Sequence, residues 1–325
     1  MKRIVVVVGL LALAAAAVSA GGRKESSGAE KQYRIGFVQL IDNLTFKEMR
    51  DGFYARMAER GYGQERALIT YKDAQGDMAT LNTICQEMAG GNYDAVVTLA
   101  TPATQAFVNL ESPKPVIFIS VVDPVAAGIM AAMDKPNKNA TGTSNYIPVD
   151  SLFELADKIT PGIKTYGFIY NLGETNAVLT IKRAKEYLAE RGIAYQEITV
   201  SNSSEVQQAA EALARRVDSI FIPNDSLVVQ AMPQIVETAN NEKIPVYGTA
   251  LTHVNGGALA TVGISDFLIG ARSADMLIEY LEGKPIASIP AVTFDNLYTI
   301  INDTTAQTLG ITIPQEFAGA TRISK

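Results

Sequence analysis

From Tyr33 onward, two hydrophobic patterns alternate along the chain. Short continuous apolar runs, such as YRIGFVQL at 33–40, AVVTL at 95–99 and PVIFISV at 115–121, are each followed by a stretch of more widely spaced apolar positions. The first pattern predicts strands buried on both faces, and the second predicts helices with one apolar stripe. Residues 33–40 thus read as a strand and 45–60 as a helix, with Phe46, Met49, Phe53 and Met57 at helical spacing and Gly61 as the stop. A strand at 67–72, a helix at 78–89 capped by Asp77, a strand at 95–99, a helix at 102–109 and a strand at 115–121 complete the first half.

The segment 126–138 interrupts this rhythm with Gly, Pro and Asn, after which the rhythm restarts. Strands are expected at 141–145, 165–170, 194–200, 219–223, 245–248 and 258–262, and helices at 148–159, 177–191, 205–215, 227–240 and 266–282. Strands alternating with helices of this length form parallel sheets covered on both faces. Two successive units of similar size predict an α/β protein of two doubly wound parallel-sheet lobes, in preference to one large sheet.

The N-terminus changes the compartment. Lys2 and Arg3 precede an uncharged apolar run at 4–18, and Val18-Ser19-Ala20 offers small residues for cleavage. Residues 1–20 therefore read as a secretory signal, with an uncleaved anchor as the alternative, and polar 21–32 as a flexible tether. No later run approaches the roughly 20 apolar residues that span a bilayer. The expected location is periplasmic or otherwise extracytoplasmic. Gly21 stands where a lipoprotein needs a cysteine, so no lipid anchor is expected. The single cysteine, Cys85, has no internal disulfide partner and reads as a small buried hydrophobe between Ile84 and Met88. A net charge of -6 argues against a nucleic-acid partner.

In open α/β sheets, ligands bind beyond the carboxyl ends of the strands. The residues at those ends are Gln39 and Asn43, Thr101 to Thr104, Asp123-Pro124, Asn171 to Asn176, Asn224-Asp225-Ser226 and Thr249-Ala250. Hydroxyls, amides and a few carboxylates at helix starts suit a small polar or zwitterionic ligand. Each also has a structural reading: Thr101, Ser203 and Asp225 all fit as helix N-caps. Catalytic machinery is sparse. There is no Gly-x-Ser-x-Gly elbow, GxGxxG or P-loop, no Cys/His cluster for zinc, and no cofactor is implied. His253 is the sole histidine, and beside the turn Asn255-Gly256-Gly257 it is expected to be an exposed loop residue.

Several of these segments, in this order, resemble the bacterial ABC-transporter substrate-binding family that includes the tryptophan/tyrosine-binding proteins. They are AQGDMATL at 74–81, ATPATQA at 100–106, DPVAAG at 123–128, TGTS at 141–144, SNSSEVQQA at 201–209, GALATVG at 257–263 and LGITIP at 309–314. The resemblance runs from about Tyr33 to the C-terminus. It implies a type I periplasmic-binding-protein fold: two lobes joined by a multi-strand hinge, with the ligand in the cleft between them. It places lobe one at 33–146 plus about 264–290, and lobe two at 147–263 plus about 291–325. The crossings are expected near 141–145, 262–265 and 287–292.

The family's cleft positions carry over to Gln39, Thr101, Asp123, Ser144, Glu174, Asn176 and Asp225. Two positions depart from the pattern. Asn145 follows TGTS where members often have Asp, and Gly248-Thr249-Ala250-Leu251 lacks the acidic residues often found there. The implied function is a solute receptor for an ABC permease with its ATPase, taking an aromatic amino acid or a related compound. It would act as a monomer and touch the membrane only through the permease or an uncleaved signal. A ligand-sensing receptor for a membrane kinase is the alternative, followed by an exported α/β enzyme.

Overall fold

The computed structural model describes residues 31–324. The signal at 1–20 and all but the last two residues of the tether lie outside this range. The strands are β1 Tyr33–Gln39, β2 Ala67–Asp73, β3 Ala95–Leu99, β4 Val116–Ile119, β5 Ala140–Gly142, β6 Thr165–Asn171, β7 Ala194–Val200, β8 Ser219–Ile222, β9 Val246–Gly248, β10 Ala260–Gly263, β11 Tyr298–Asn302 and β12 Thr321–Ile323. The helices are α1 Leu44–Glu59, α2 Met78–Gly90, α3 Ala100–Val108, α4 Val149–Ile159, α5 Thr175–Glu190, α6 Val206–Ala214, α7 Met232–Asn241, α8 Leu251–Asn255, α9 Asp266–Leu281 and α10 Asp303–Leu309.

Two sheets define two α/β lobes. The first has the order β2-β1-β3-β4-β5 and is parallel throughout. The second has the order β12-β11-β10-β9-β8-β6-β7. Its first five strands in the chain, β6 to β10, repeat the first sheet's order and are likewise parallel. The all-parallel expectation needs one correction. β11 runs antiparallel to β10, because the chain returns to the second lobe from the far side of the hinge.

The continuous apolar runs are explained by burial on both faces. In β1, Ile35 and Phe37 enter one core with α1 and α9, while Val38 points to the opposite core with α2 and α3. In β3, Ala95, Val97 and Leu99 face the first core and Val96 the second. The second sheet divides in the same way: Tyr166 and Phe168 of β6 pack with α4 and α5, and Ile169 with α6 and α7. Cys85 is fully buried in the α2 side of the first lobe, and burial pushes its thiol up to about 12.

Three chain segments cross between the lobes. After β5, Thr143 bridges Val292, and the Ser144 amide donates to the Val292 carbonyl at 2.7 Å. β10 leads directly into α9, which packs on α1 in the first lobe. The contact is backbone to backbone: a Cβ on Gly52 would lie 2.0 Å from the Phe267 carbonyl oxygen, and one on Gly270 would lie 1.8 Å from that of Met49. Only glycine permits this approach.

Candidate functional site

Because both lobes share a strand order, they share a topological switch point, between β1 and β3 in one and between β6 and β8 in the other. Ligand crevices open at such points. One cleft is lined from both. It encloses about 700 Å³ not filled by protein atoms, part of it open to solvent. Its wall takes residues from the carboxyl end of nearly every central strand: Asn43, Thr45 and Phe46 after β1; Ala100 to Pro102 after β3; and Ser120 after β4. Asn145 and Ile147 follow β5, Asn176 follows β6, Asn224 to Ser226 follow β8, Thr249 to His253 follow β9, and Asp266 follows β10.

The first-lobe face is built largely from backbone. Ala100 and Ser120 both adopt left-handed φ, +71° and +63°, at the ends of β3 and β4. Such residues cost roughly 1–2 kcal/mol each and collect where a ligand must be held. The N-terminus of α3 has no side-chain cap, since Leu99 cannot supply one. Its free amides and the Thr101 hydroxyl, which has no partner, form a setting suited to an anion.

Five buried side-chain atoms in this wall lack a hydrogen-bond partner: Thr45 Oγ1, Thr101 Oγ1, Asn145 Oδ1, Asn176 Oδ1 and Thr249 Oγ1. Among the described residues only one other buried side-chain atom is unsatisfied, Arg183 Nη1. Leaving a buried polar group unmade costs about 1–3 kcal/mol, so their concentration in one cleft marks a surface waiting for a partner.

The sequence-derived site residues separate into two sets. Thr101, Asn176 and Asp225 line the cleft. Gln39, Asp123, Ser144 and Glu174 lie outside its wall, each held by bonds of its own. Gln39 donates to Asp73 at 2.5 Å and accepts from Arg50 at 2.7 Å. Asp123 caps the Ala126 amide and forms an ion pair with Arg183 of α5, across from the other lobe. Ser144 donates to the Val122 carbonyl at 2.8 Å inside the hinge. Glu174 accepts from the Ser226 amide at 2.9 Å and from its hydroxyl at 3.2 Å.

Asp225 is also fully engaged. One carboxylate oxygen accepts from the Asn171 amide at 2.6 Å, and the other accepts from the Leu227 and Val228 amides at 3.0 Å. It is therefore a cap and a cleft residue at once. Burial raises the carboxyls of Glu174 and Asp225 above the ordinary range, and Asp225 nearby raises Glu174 further.

Several cleft residues escaped the sequence reading. His253 departs from the expectation of an exposed loop residue: it is buried in α8. Its Nδ1 accepts from the Thr249 amide at 3.0 Å, which puts the ring proton on Nε2, and desolvation lowers its pKa to about 3. It is thus neutral, and no lysine or arginine lines the cleft. Asp266 was read only as a helix start. It is 8% exposed, at the first position of α9, with no hydrogen bond or ion pair to the described residues. Burial and the charge of Glu48 raise its pKa to about 8. The macrodipole of α9 offsets at most about 1 kcal/mol, against several for burying an unpaired carboxylate.

Two doubly wound lobes, three crossing segments and a polar cleft at paired switch points define a substrate-binding protein of the type I periplasmic fold. The chain belongs to the ABC transporter substrate binding protein family, whose model matches residues 34–322. Members are extracellular or periplasmic receptors that bind a small-molecule solute and work with a permease. It is similar to a tyrosine-binding protein of Clostridioides difficile, 33% identical over 292 residues, which cover 90% of this chain and 85% of that one. It is also similar to the solved structure of an ABC domain from Streptococcus pneumoniae in complex with L-Trp, with TM-score 0.87, 28% identity, and coverage of 90% and 100%.

Against the ligand-free, open structure of a substrate-binding protein from Clostridium difficile the TM-score is 0.70, at 31% identity and coverage of 90% and 99%. The Arg183–Asp123 pair joins the two sides of the cleft. No helix among the described residues is long and apolar enough to cross a membrane.

Proposed function

We propose that this chain is the extracytoplasmic receptor of an ABC importer, exported by its N-terminal signal and acting as a monomer without catalysis. The lobes divide at 33–146 plus about 264–290 and 147–263 plus about 291–325. Its ligand is an aromatic amino acid or a related zwitterion. The observation that carries this reading is the set of five orphaned polar atoms lining one cleft from both lobes. The α3 N-terminus and Thr101 would receive the carboxylate. Phe46, Ile147, Val229, Ile264 and Ile269 offer apolar surface for a ring. Asn176 and Asp225 contribute from the second lobe.

The reading is tested by mass spectrometry of whatever co-purifies, followed by calorimetry with L-tryptophan and L-tyrosine. One-site binding that displaces the co-purified compound is expected. A co-purified sugar, with no heat from either amino acid, would overturn the ligand class.

A further inference from the structure

We propose that Asp266 is the residue that recognises the ligand's cationic nitrogen. The inference rests on the reading of the cleft as an aromatic amino-acid site. A zwitterion brings one positive group, and two acidic side chains in the wall, Asp225 and Asp266, could meet it, with Glu174 and Glu48 outside the wall. Asp225 already accepts three backbone N–H groups. Glu174 is closed onto Ser226 and lies outside the wall. Asp266 is in the wall, more than nine-tenths buried, and without a protein partner among the described residues.

Its surroundings favour a cation. The acidic Glu48 of α1 acts on it, the Tyr298 phenol of β11 is close enough to feel its charge, and neutral His253 and Asp225 share the cleft. None of these supplies a positive charge. Two orphaned acceptors in the same wall, Asn145 Oδ1 and Asn176 Oδ1, can take further N–H bonds but carry no charge. An ammonium entering this cleft would therefore find one unsatisfied carboxylate in its wall, Asp266. Asp266 also sits where β10 crosses into α9, so a bond to it would tie the ligand to the hinge.

The test compares wild type with Asp266→Asn against three probes sharing one ring: L-tryptophan, tryptamine and indole-3-propionate. Asparagine keeps the shape and removes the charge. The variant should lose roughly 30-fold or more in affinity for L-tryptophan and tryptamine, the scale for truncating the partner of a buried charge, and should hold indole-3-propionate within about threefold. Ligand-free Asp266→Asn should melt no lower than wild type at pH 8, because it removes a buried charge rather than a contact. Equal losses for all three probes, or a lowered melting temperature in the ligand-free state, would make Asp266 structural and overturn the proposal. So would unchanged affinity for L-tryptophan. If wild type binds indole-3-propionate but neither amine, this proposal falls while the receptor reading stands. If it binds none of the three, the aromatic amino-acid reading falls, and this one with it.

Discussion

The two faces of the cleft are built on the same strand order and arrive at different chemistry. The first lobe ends its strands in backbone: left-handed Ala100 and Ser120, an uncapped helix, and a hydroxyl with no partner. The second lobe ends its strands in side chains, yet most of these hold one another. Asp225 gathers three amides, Glu174 closes on Ser226, and His253 takes the Thr249 amide. The less polar sequence thus leaves more hydrogen-bonding capacity open. The difference teaches that a carboxylate's presence at a strand end does not measure what it can offer a ligand. What matters is how many of its lone pairs the fold already uses.

The strongest way to break this contrast is to remove the hub of the second face. Asp225→Ala would leave three amides without an acceptor and should cost roughly 3 kcal/mol in chemical denaturation. If stability holds and only binding is lost, Asp225 is a ligand contact and not a structural one.

His253 gives the next largest effect, and its sign is fixed. Its folded pKa of about 3 lies below the ordinary 6.5, so the unfolded chain binds more protons between those values. Its contribution is complete above about pH 6.5 and falls by up to about 1.4 kcal/mol per pH unit as the pH drops toward 3. Asp266, raised to about 8, works the other way, weakening the ligand-free protein as pH rises from about 4 to 8. Subtracting the denaturation curves of a His253→Asn variant isolates the histidine. The gap between the two proteins should narrow as the solution is acidified, and a constant gap would contradict the neutral buried ring.

Relaxing the first face has a smaller consequence. Ala100→Gly should stabilise the ligand-free protein by about 0.5–1 kcal/mol, since glycine adopts φ +71° without the Cβ penalty. Destabilisation on thermal melting would show that Ala100 is not strained. The smallest change is expected for Arg183→Ala, which removes the ion pair joining the faces. The pair is partly exposed, so its loss should cost about 0.5 kcal/mol of closed state and about twofold in affinity. Small-angle scattering of the ligand-free variant should give a larger radius of gyration than wild type.

The sheet framework was legible because strands buried on both faces are dominated by apolar residues, and 95–99 reads that way at every position but Thr98, whose hydroxyl is bonded to that of Thr104. Where the pattern thins, so does the reading. α8 is five residues long in a stretch rich in Thr, Gly and Asn, and its histidine is buried against Gly248, where a Cβ would lie 2.5 Å from the ring. No periodicity announces that contact. The short α10 and β12 went unread for the same reason of length. Of the residues that the strand-end rule picks out, Asn43, Thr101, Asn176, Asp225 and Thr249 line the cleft. The apolar run 115–121 is longer than β4, which stops at Ile119 because Ser120 turns left-handed. Asp266 obeyed the same rule after β10 but was absorbed into the helix it begins. Gln39, Asp123, Ser144 and Glu174, carried over from the family resemblance, lie outside the cleft wall and are each bonded to a partner distant in sequence.

The glycine contact between α1 and α9 also constrains the order in which the chain can fold. The sheet of the first lobe is complete by Gly142, but the helix that seals its α1 side begins only at Asp266. Until then Phe37, Phe53 and Ile117 lack part of the core that covers them. A nascent chain therefore emerges with its first half unable to close, and the five parallel strands β6 to β10 of the second sheet must be made before the first hydrophobic face is shut. Contacts of such long sequence separation form slowly. The lobe begun first is sealed only after most of the second has been made, so the interval in which the chain stays open is written into its connectivity.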